Sequence, residues 1–437
     1  MSNLVKNQKS ILRKLGIEQL NPMQEEAALA LSVSDNLVLL SPTGTGKTLA
    51  FLLPILEQLD RKLEQVQCLI IVPSRELAIQ IEQVAREMGS GLKINAVYGG
   101  RHFSKDKMEL KHTPAIVVGT PGRVADHLRR STFSTKRIAH LVLDEFDKSL
   151  EVGFEDDMKE IVQALPNLKQ RILTSATEGV AVPDFVKLDN PVYVNYLSEG
   201  KKTISIKRII SPDKDKLPTL VNALKHLGNQ PGIVFCNFKA SIDRVSEFLT
   251  DNDIPHGCFY GGMEQKDRER ALIKFRNGSH QLLLATDLAA RGIDVPEIQF
   301  IIHYHLPHKL EEFTHRNGRT ARMHQTGTAY VLQWKDETLP EFIPESPIEE
   351  VSLDTDIELA SQWDTLFISG GRKDKISKGD IAGLFFKEGK LQKEQLGVIE
   401  LKQDCAFVGI QKNVSVKIAE RLNNSRLKKK KVRIHKI

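Results

Sequence analysis

A strand–loop–helix pattern near the N-terminus constrains the fold of this chain more than any other feature. Asn36–Leu40 is a short apolar run typical of a buried strand, Ser41–Thr48 reads Ser-Pro-Thr-Gly-Thr-Gly-Lys-Thr, and a helical pattern follows over Leu49–Leu59. In this context, backbone N–H groups of a glycine-containing loop bind phosphate. Lys47 is suited to neutralise phosphate charge and Thr48 to bind Mg²⁺, so the sequence predicts a nucleotide phosphate site.

A second apolar run ends in a group of carboxylates. Leu141-Val142-Leu143 is followed directly by Asp144-Glu145-Phe146-Asp147, and ligands of open α/β sheets lie outside the carboxyl ends of such strands. Asp144 is suited to hold Mg²⁺ and Glu145 to orient or deprotonate water. An ordinary polar transition from strand to loop is the alternative, and the presence of the phosphate loop favours the catalytic interpretation.

Length and composition indicate a multidomain protein. The chain has 437 residues, of which 41% are apolar and 27% charged, so two or three domains are expected. No window approaches 18 consecutive apolar residues, the N-terminus lacks the apolar segment of a secretory signal, and the four cysteines have no CxxC spacing. These features predict a cytoplasmic enzyme with reduced thiols and no membrane partner.

Apolar strands alternate with helical patterns along most of the chain, which predicts an α/β fold of two parallel-sheet domains. The expected strands after the first are residues 67–72, 94–97, 114–118, 140–143 and 171–173, and then 232–236, 282–285 and 300–303. Loss of periodicity predicts linkers near residues 196–204 and 336–356. The predicted domains are residues 1–197, 205–340 and 363–437.

The positive charge is concentrated at the C-terminal end. Residues 365–437 carry 18 Lys and Arg against 7 Asp and Glu, whereas the preceding residues carry 44 against 49. A basic module on a mildly acidic body indicates a segment that binds a polyanion. A lysine-rich solvated tail is the alternative.

From about residue 8 to residue 335 the chain resembles the DEAD-box RNA helicases, whose motifs occur here in order. They are Pro22-Met23-Gln24, the Ser41–Thr48 loop, Pro73–Ala78, Gly99-Gly100, Thr120–Arg123, Asp144–Asp147, Ser175-Ala176-Thr177, Val234-Phe235, Ala285–Asp294 and His315–Arg322. The resemblance implies two RecA-like domains in tandem, ATP and Mg²⁺ as cofactors, and ATP hydrolysis coupled to local RNA unwinding or remodelling.

The resemblance also implies specific nucleotide contacts. The ATP-binding set is Gln24, Thr43, Gly44, Thr45, Gly46, Lys47, Thr48, Asp144 and Asp294, with Thr48 and Asp144 on the metal ion. Gln24 would contact adenine and Asp294 the ribose, while Arg319 and Arg322 would reach the γ-phosphate and complete a catalytic set with Lys47 and Glu145. A solvated helix face is the alternative for these arginines. The upstream aromatic that usually stacks on adenine is absent from Lys6-Asn7-Gln8, which predicts weaker stacking or another partner.

Further positions match the RNA-contacting and coupling residues of the family. The RNA-contacting positions of the two domains are Arg75, Gly100, Thr120, Arg123, Arg268 and Thr286, and contacts to sugar and phosphate make such binding tolerant of sequence. The coupling positions are Phe146, Asp147, Ser175, Thr177 and His315. Because the family places Ala at the position of Phe146, we predict altered packing of this loop that affects domain coupling rather than hydrolysis.

The C-terminal segment has the element order strand, helix, strand, strand, helix, strand, which predicts an RRM-like α+β domain. Phe367–Ile381 resembles the C-terminal RNA-binding domain of the DbpA and YxiN group of bacterial helicases, and implies large-subunit ribosomal RNA as a partner. Arg372, Lys373, Lys375 and Lys378 are the expected phosphate contacts. Cys405 and Ile410 occupy positions where aromatics usually stack on bases.

Three functional hypotheses remain open from the sequence. The first is an RNA-dependent ATPase that locally unwinds structured RNA, with 23S ribosomal RNA in large-subunit assembly as the expected target and a monomer as the expected state. The second is an ATP-gated RNA clamp or scaffold without productive unwinding. A DNA helicase is the third and least favoured.

Overall fold

The computed structural model describes residues 2–149, 154–178, 181–198, 204–287, 298–320, 327–351 and 359–437. The chain divides into two compact units, the first ending at Lys202 and the second beginning at Thr203. Within the described ranges, every helix is too short or too polar to cross a membrane.

The first unit is built around a parallel sheet. Its elements in chain order are α1 (Ser2–Leu15), α2 (Pro22–Val33), β1 (Asn36–Leu40), α3 (Lys47–Gln58), β2 (Cys68–Ile71), α4 (Arg75–Glu87), β3 (Ile94–Val97), α5 (Phe103–Leu110), β4 (Ile116–Gly119), α6 (Pro121–Arg129), β5 (His140–Leu143), α7 (Phe146–Ser149), α8 (Glu155–Gln163), β6 (Gln170–Ser175) and β7 (Val192–Asn195). The described strands pair in the order β3-β4-β2-β5-β6-β1-β7.

Both faces of this sheet are covered, as the alternation of strands and helices predicts. Leu37 and Leu39 of β1 belong to one apolar cluster, whereas Val38 and Leu40 belong to another. The predicted strands of this unit are confirmed with shifts of one or two residues at their ends, and only the edge strand β7 was not predicted. The carboxyl ends of β1, β5 and β6 lie side by side, because β6 pairs with both β1 and β5.

The second unit contains another parallel sheet. Its elements are β8 (Ile204–Ser211), α9 (Leu217–Leu227), β9 (Gly232–Phe235), α10 (Lys239–Asp251), β10 (Gly257–Phe259), α11 (Gln265–Arg276), β11 (Leu282–Ala285), β12 (Phe300–His303), α12 (Leu310–Asn317) and β13 (Gly327–Trp334). The described strands pair in the order β10-β11-β9-β12-β13-β8. The fold class of two parallel-sheet domains is therefore confirmed.

The stretch that follows β13 is not a free linker. The sequence predicts a linker over residues 336–356, but Arg208 N donates to Pro347 O at 2.8 Å and Glu349 N donates to Arg208 O at 2.7 Å. Lys207 Nζ also bonds Glu349 Oε2 at 2.6 Å. This strap, residues 345–351, therefore lies along the outer edge of β8, while the end of the predicted linker lies outside the described residues.

The C-terminal part of the second unit has an antiparallel sheet. Its elements are β14 (Trp363–Ile368), α13 (Lys378–Lys387), β15 (Leu396–Leu401), β16 (Ala406–Gln411), α14 (Lys412–Leu422), β17 (Arg426–Leu427), β18 (Lys430–Lys431) and β19 (Ile434–Lys436). The sheet order β15-β16-β14-β19 is the split βαβ arrangement expected of an RRM-like domain. Ile410 belongs to the apolar core of this domain, so its interpretation as a base-stacking position is wrong.

Candidate functional site

The predicted phosphate loop connects β1 to α3. Gly44 and Gly46 have φ values of 81° and 89°, in the left-handed region that glycine adopts without strain. A Cβ on Gly46 would lie 2.4 Å from Gln24 Nε2, so a side chain there would displace the Gln24 amide. Thr43 to Thr48 therefore form a tight turn at the N-terminus of α3, where N–H groups and the helix dipole favour an anion.

Lys47 is buried within this loop. Its Nζ donates to Ser41 O at 2.5 Å and to Pro42 O at 2.9 Å. Thr45 Oγ1 donates to the same Pro42 carbonyl at 2.9 Å. A bound phosphate would replace these carbonyl oxygens as the hydrogen-bond acceptor of the Lys47 ammonium group. The positive charge therefore lies where it can neutralise nucleotide phosphates.

Gln24 is tied to the phosphate loop through the start of α2. Asn21 and Gln24 form a capping box, and Gln24 Nε2 donates to Gly46 O at 3.2 Å. Asn21 Nδ2 donates to Thr45 O at 3.0 Å. A cavity of about 570 Å³ lies beside Gln24, and Gln8 and Leu20 line it. Gln8 and Leu20 thus stand next to the predicted adenine contact, where the sequence has no aromatic residue.

Asp144 and Glu145 follow β5 at the same edge of the sheet. Thr174 Oγ1 donates to Asp144 Oδ1, and Glu145 N donates to Thr174 Oγ1 at 3.2 Å. Burial raises the pKa of Asp144 to about 6, and the charge of Glu145 adds to the rise. Glu145 has a φ of 49°, a backbone conformation that side chains other than glycine adopt at a cost. The Thr174 hydroxyl therefore bonds the Asp144 carboxylate and the backbone N–H of Glu145 at once.

The last carboxylate of this motif contacts the end of β6. Thr177 Oγ1 donates to Asp147 Oδ2 at 3.1 Å, and Thr177 N donates to Ser175 Oγ at 3.0 Å. Three of the five predicted coupling residues, Asp147, Ser175 and Thr177, are thus joined by hydrogen bonds within the first unit.

The donors at this edge fit a magnesium ion. Among the described residues, no group of three or more His, Cys, Asp or Glu side chains is arranged to hold a metal. Mg²⁺ does not require one, because it keeps several waters and uses one or two carboxylates together with substrate phosphates. Asp144 supplies a buried carboxylate and Thr48 a hydroxyl in the first turn of α3, and Lys47 is near enough to lower the pKa of Asp144.

In the second unit, Arg316 is the buried anchor of the predicted arginine-rich segment. Its guanidinium donates to Asp287 at 2.6 and 2.5 Å, to His305 O at 2.7 Å and to Asn237 Oδ1 at 2.8 Å. Arg319 is also buried and His315 is half-buried. The predicted residues Asp294 and Arg322 lie outside the described residues.

Two of the predicted RNA contacts of the first unit, Arg75 and Gly100, lie against each other. Arg75 begins α4 after β2, and a Cβ on Gly100 would lie 2.3 Å from Arg75 Nη1. Gly100 has a φ of 87°, a backbone conformation that favours glycine, and a Cβ there would displace the Arg75 guanidinium. Thr120 caps α6 at the neighbouring strand end, and Thr120 N donates to Val97 O at 3.2 Å.

Arg123, another predicted RNA contact, is engaged in a buried network. Arg123 Nε donates to Asp106 Oδ2 at 2.7 Å and Arg123 Nη2 to Arg101 O at 2.9 Å. Burial alone would raise the pKa of Asp106, but bonds from His127 and Arg123 and the charge of Arg101 hold that pKa below its usual value. Arg123 therefore fixes the loop after Gly100, a role that its sequence position does not reveal.

The predicted RNA contacts of the second unit differ in exposure. Thr286 follows β11 and is half-buried. Arg268 is buried, and its guanidinium carbon lies 4.8 Å from the centre of the Phe259 ring. Arg268 is thus packed on an aromatic face, an arrangement that stabilises a cation, and it presents little surface to a phosphate.

Two basic segments of the C-terminal domain lie side by side. Lys428 Nζ donates to Lys375 O at 2.5 Å and pairs with Asp380 at 2.9 Å, and Lys430 Nζ pairs with Asp374 at 2.7 Å. Residues 372–378 and 426–431 therefore form one continuous surface, named the basic surface below. It contains all four predicted contacts of this domain, Arg372, Lys373, Lys375 and Lys378.

Comparison with known proteins identifies the family. Profiles of the DEAD/DEAH box helicase family, the helicase conserved C-terminal domain and the DbpA RNA binding domain match residues 21–184, 215–324 and 365–436. The ATP-dependent RNA helicase DbpA of Bacillus subtilis is 30% identical over 460 aligned residues, covering 97% of this chain and 96% of the relative. The chain belongs to the DEAD-box ATP-dependent RNA helicases.

Other relatives agree with this assignment. The ATP-dependent RNA helicase DbpA of Escherichia coli is 31% identical, with 97% of this chain and 95% of that protein covered. Among solved structures, S. cerevisiae Dbp5 bound to RNA and ADP BeF3 has a TM-score of 0.67 at 25% identity over 76% of this chain and 87% of that chain. Mss116p bound to ssRNA and AMP-PNP has a TM-score of 0.68 at 26% identity over 79% and 78%. The predictions of the family, of an ATP-hydrolysing RNA helicase and of ATP use are confirmed.

Thr174 lies in the candidate site of this DEAD-box helicase, and no prediction for it followed from the sequence. The pairing of Leu143 with Leu173 places Thr174 opposite Asp144. Only the register of these two adjacent strands could therefore have indicated that Thr174 belongs to the site.

Thr174→Val keeps the shape of the side chain but removes the hydroxyl. We expect a loss of about 1.5–3 kcal/mol of unfolding free energy and slower ATP turnover, because a hydrogen bond to a carboxylate is lost. Hydrogen exchange of the amides in β5 and β6, which reports this sheet separately from the rest of the chain, and RNA-stimulated turnover would measure the two effects. Thr174→Ser keeps the hydroxyl and should behave like the wild type; equal losses in both variants would contradict the assigned bond.

Phe146 is buried in the core of the first unit. It belongs to the same apolar cluster as Leu143 and Ile161. We expect Phe146→Ala to reduce the free energy of unfolding of this unit by about 3–5 kcal/mol, because the substitution leaves a cavity. Hydrogen exchange of the amides in β5 would measure the loss in this unit alone, with Phe133→Ala as the control because that ring is only half-buried at the edge of the cluster. Equal effects of the two substitutions would show that Phe146 is not an anchor of the core.

Proposed function

We propose that this chain is an RNA-stimulated ATPase that locally unwinds or remodels structured RNA, with 23S ribosomal RNA in large-subunit assembly as its target. One observation supports this proposal most strongly: the phosphate loop, the Asp144–Glu145 pair and the Arg75–Gly100 contact all follow the carboxyl ends of strands in the first sheet. The same chain also has a basic RNA-binding domain. Hydrolysis and RNA contact would then occur on neighbouring loops of one sheet.

The proposed ATP site uses the residues predicted from the sequence. Lys47 binds the β- and γ-phosphates, Asp144 and Thr48 hold Mg²⁺, and Glu145 positions or deprotonates the attacking water. Mg²⁺ would supply charge neutralisation on the phosphates when bound. Gln24 contacts adenine and Asp294 the ribose, whereas Arg319 and Arg322 stabilise the charge that develops on the γ-phosphate.

The proposed RNA path follows sugar and phosphate groups. Arg75, Gly100 and Thr120 contact the backbone, with Arg123 supporting the loop beside Gly100, and Thr286 extends the path in the second domain, where the buried Arg268 offers little contact surface. The basic surface of the C-terminal domain binds a structured element of ribosomal RNA. Asp147, Ser175, Thr177, Phe146 and His315 couple RNA binding to hydrolysis. We further propose that the protein is a cytoplasmic monomer. Its domains would be residues 1–197, 205–340 and 363–437.

Crosslinking of the protein to RNA in cells, followed by sequencing of the bound RNA, tests the proposed target. Enrichment at large-subunit ribosomal RNA is expected, and the absence of any ribosomal enrichment would exclude that target. A strand-displacement assay tests unwinding separately. An ATP-gated clamp would bind duplex RNA with ATP but release no strand, and matched RNA and DNA strands would distinguish an RNA-stimulated ATPase from a DNA helicase.

A further inference from the structure

An exposed aromatic side chain lies at the carboxyl edge of the second parallel sheet. Phe238 follows β9, and its side chain is 62% exposed. Phe238 is also the N-cap residue of α10 and makes no side-chain capping bond, although short polar side chains are the ones that stabilise this position. An exposed ring and an uncapped helix are both unfavourable for folding, and such departures from local rules are expected at functional sites. Phe238 is therefore a candidate ligand contact.

The end of a neighbouring strand supports the ring of Phe238. His305, which follows β12, meets this ring edge-on with 6.5 Å between the ring centres. Burial lowers the pKa of His305 to about 4, so its imidazole is neutral and Nδ1 can accept the bond that Asn237 N donates at 3.3 Å. Asn237 Nδ2 also donates to Leu306 O at 3.0 Å. The backbone that carries Phe238 is thus held in place while the ring stays largely exposed.

A cation and a second aromatic ring lie beside Phe238. Lys239 is exposed, and its Nζ lies 5.5 Å from the centre of the ring of Tyr260, which follows β10. Tyr260 is half-buried, and its hydroxyl donates to Asp243 on α10 at 3.4 Å. Aromatic rings interleaved with cations are typical of surfaces that bind single-stranded nucleic acid, because bases stack on the rings and the cations meet phosphates.

This group lies next to a predicted RNA contact. β11 pairs with β9 on one side and with β10 on the other, and Thr286 directly follows β11. Because parallel strands align their carboxyl ends, the loops that carry Phe238, Thr286 and Tyr260 lie side by side along one edge of the sheet. An RNA strand whose sugar and phosphate groups contact Thr286 therefore has the exposed ring of Phe238 beside it.

We propose that Phe238 stacks on an unpaired RNA base and that Lys239 contacts an adjacent phosphate. The ligand is single-stranded RNA of any sequence, because every base offers a ring face for stacking. A base that stacks on Phe238 gives up stacking on its neighbour in a duplex, so the contact favours separated strands. This role rests on the proposed function, and it adds a base contact to a path that otherwise follows sugar and phosphate groups.

Equilibrium binding of a short unstructured RNA to the full-length protein, with a non-hydrolysable ATP analogue present, tests the stacking. Phe238→Ala should weaken binding about five- to hundredfold, the range that corresponds to the loss of one stacked base. Phe238→Trp should restore the affinity, whereas Phe238→Leu, which is apolar but has no ring, should not. Tyr193→Ala is the matched control, because that side chain is also 62% exposed but lies on β7 of the first sheet. Equal affinities of Phe238→Ala and the wild type would overturn the proposal.

Abasic RNA links the side chain to a particular base. When each base of the RNA is removed in turn, one position should lower the affinity of the wild type. The same position should have no effect in Phe238→Ala, because the two changes remove the same contact. Additive losses at every position would show that Phe238 acts through the fold rather than on a base, and would overturn the proposal.

The salt dependence of binding separates the two residues. Phe238→Ala should leave the slope of log affinity against log salt unchanged, because stacking releases no counterion. Lys239→Ala should reduce the slope by about 0.7, the value for one phosphate contact on a single strand, and an unchanged slope would exclude that contact.

Two further outcomes distinguish this proposal from its alternatives. At saturating RNA, Phe238→Ala should keep the KM for ATP of the wild type, and a raised KM would assign the ring to the nucleotide and overturn the base contact. A wild type that binds no single-stranded RNA would overturn the proposed function together with the stacking. A wild type that binds RNA no more tightly than Phe238→Ala would overturn the stacking alone.

Discussion

Replacement of Glu145 by glutamine is expected to lower RNA-stimulated ATP turnover by about 10²–10⁴-fold, the contribution typical of a positioned general base. Glutamine has the same shape but cannot accept a proton from water. It also meets the same backbone constraint at a φ of 49°, so stability should change little. Steady-state turnover and equilibrium binding of a fluorescent ATP analogue would measure the effect, with kcat reduced and nucleotide affinity retained.

Two comparison variants sharpen this expectation. Lys47→Ala should also weaken nucleotide binding, because it removes the charge that faces the phosphates. Glu178→Gln removes a carboxylate that is exposed near the end of β6, and it should leave turnover unchanged. If Glu145→Gln retains turnover within a few-fold of the wild type, Glu145 does not act as the base.

Replacement of Arg316 by leucine is expected to destabilise the second sheet by about 1.5–3 kcal/mol, because the partly buried Asp287 carboxylate and two further acceptors lose their donor. The Arg316 side chain is 1% exposed, and three different groups would lose their donor. Because the chain has several domains, a single unfolding transition would not isolate the effect. Hydrogen exchange of the amides in β9 and β11 would report the opening of this sheet.

The chain contains a matched control for this substitution. Arg244 pairs with Asp215 at 2.9 Å in the same unit, but both side chains are more than half exposed. Arg244→Leu should therefore cost no more than about 1 kcal/mol. Equal protection of the amides in the two variants would show that the Arg316–Asp287 pair does not stabilise the sheet.

The sequence predicted the elements that are defined by local pattern. The strand Asn36–Leu40 is confirmed to the residue, and the Asp144–Glu145 pair lies beside the phosphate loop because parallel strands align their carboxyl ends. The RRM-like element order was also predictable, since each strand and helix of that domain has its own apolar periodicity.

Contacts between residues distant in the sequence were not predictable in the same way. Thr174 and Asp144 are 30 positions apart, and Arg123 and Asp106 are 17 apart, so no local pattern connects them. The strap along β8 has an acidic, proline-containing composition that is typical of a linker, and only its backbone pairing with Arg208 shows otherwise. Ile410 was assigned to the wrong face because a shift of one residue in register reverses the direction of a side chain.

The strap also covers part of a strand edge that would otherwise be open to pairing with another chain. β8 is an eight-residue strand at the edge of its sheet, and a long edge strand offers unpaired N–H and C=O groups to other chains. Pro347 O and Glu349 N occupy two of these groups on Arg208, and proline cannot itself extend a ladder of hydrogen bonds. A shortened form that ended before Pro347 would expose this edge, so the boundary chosen for an isolated second domain decides whether it stays dispersed or aggregates.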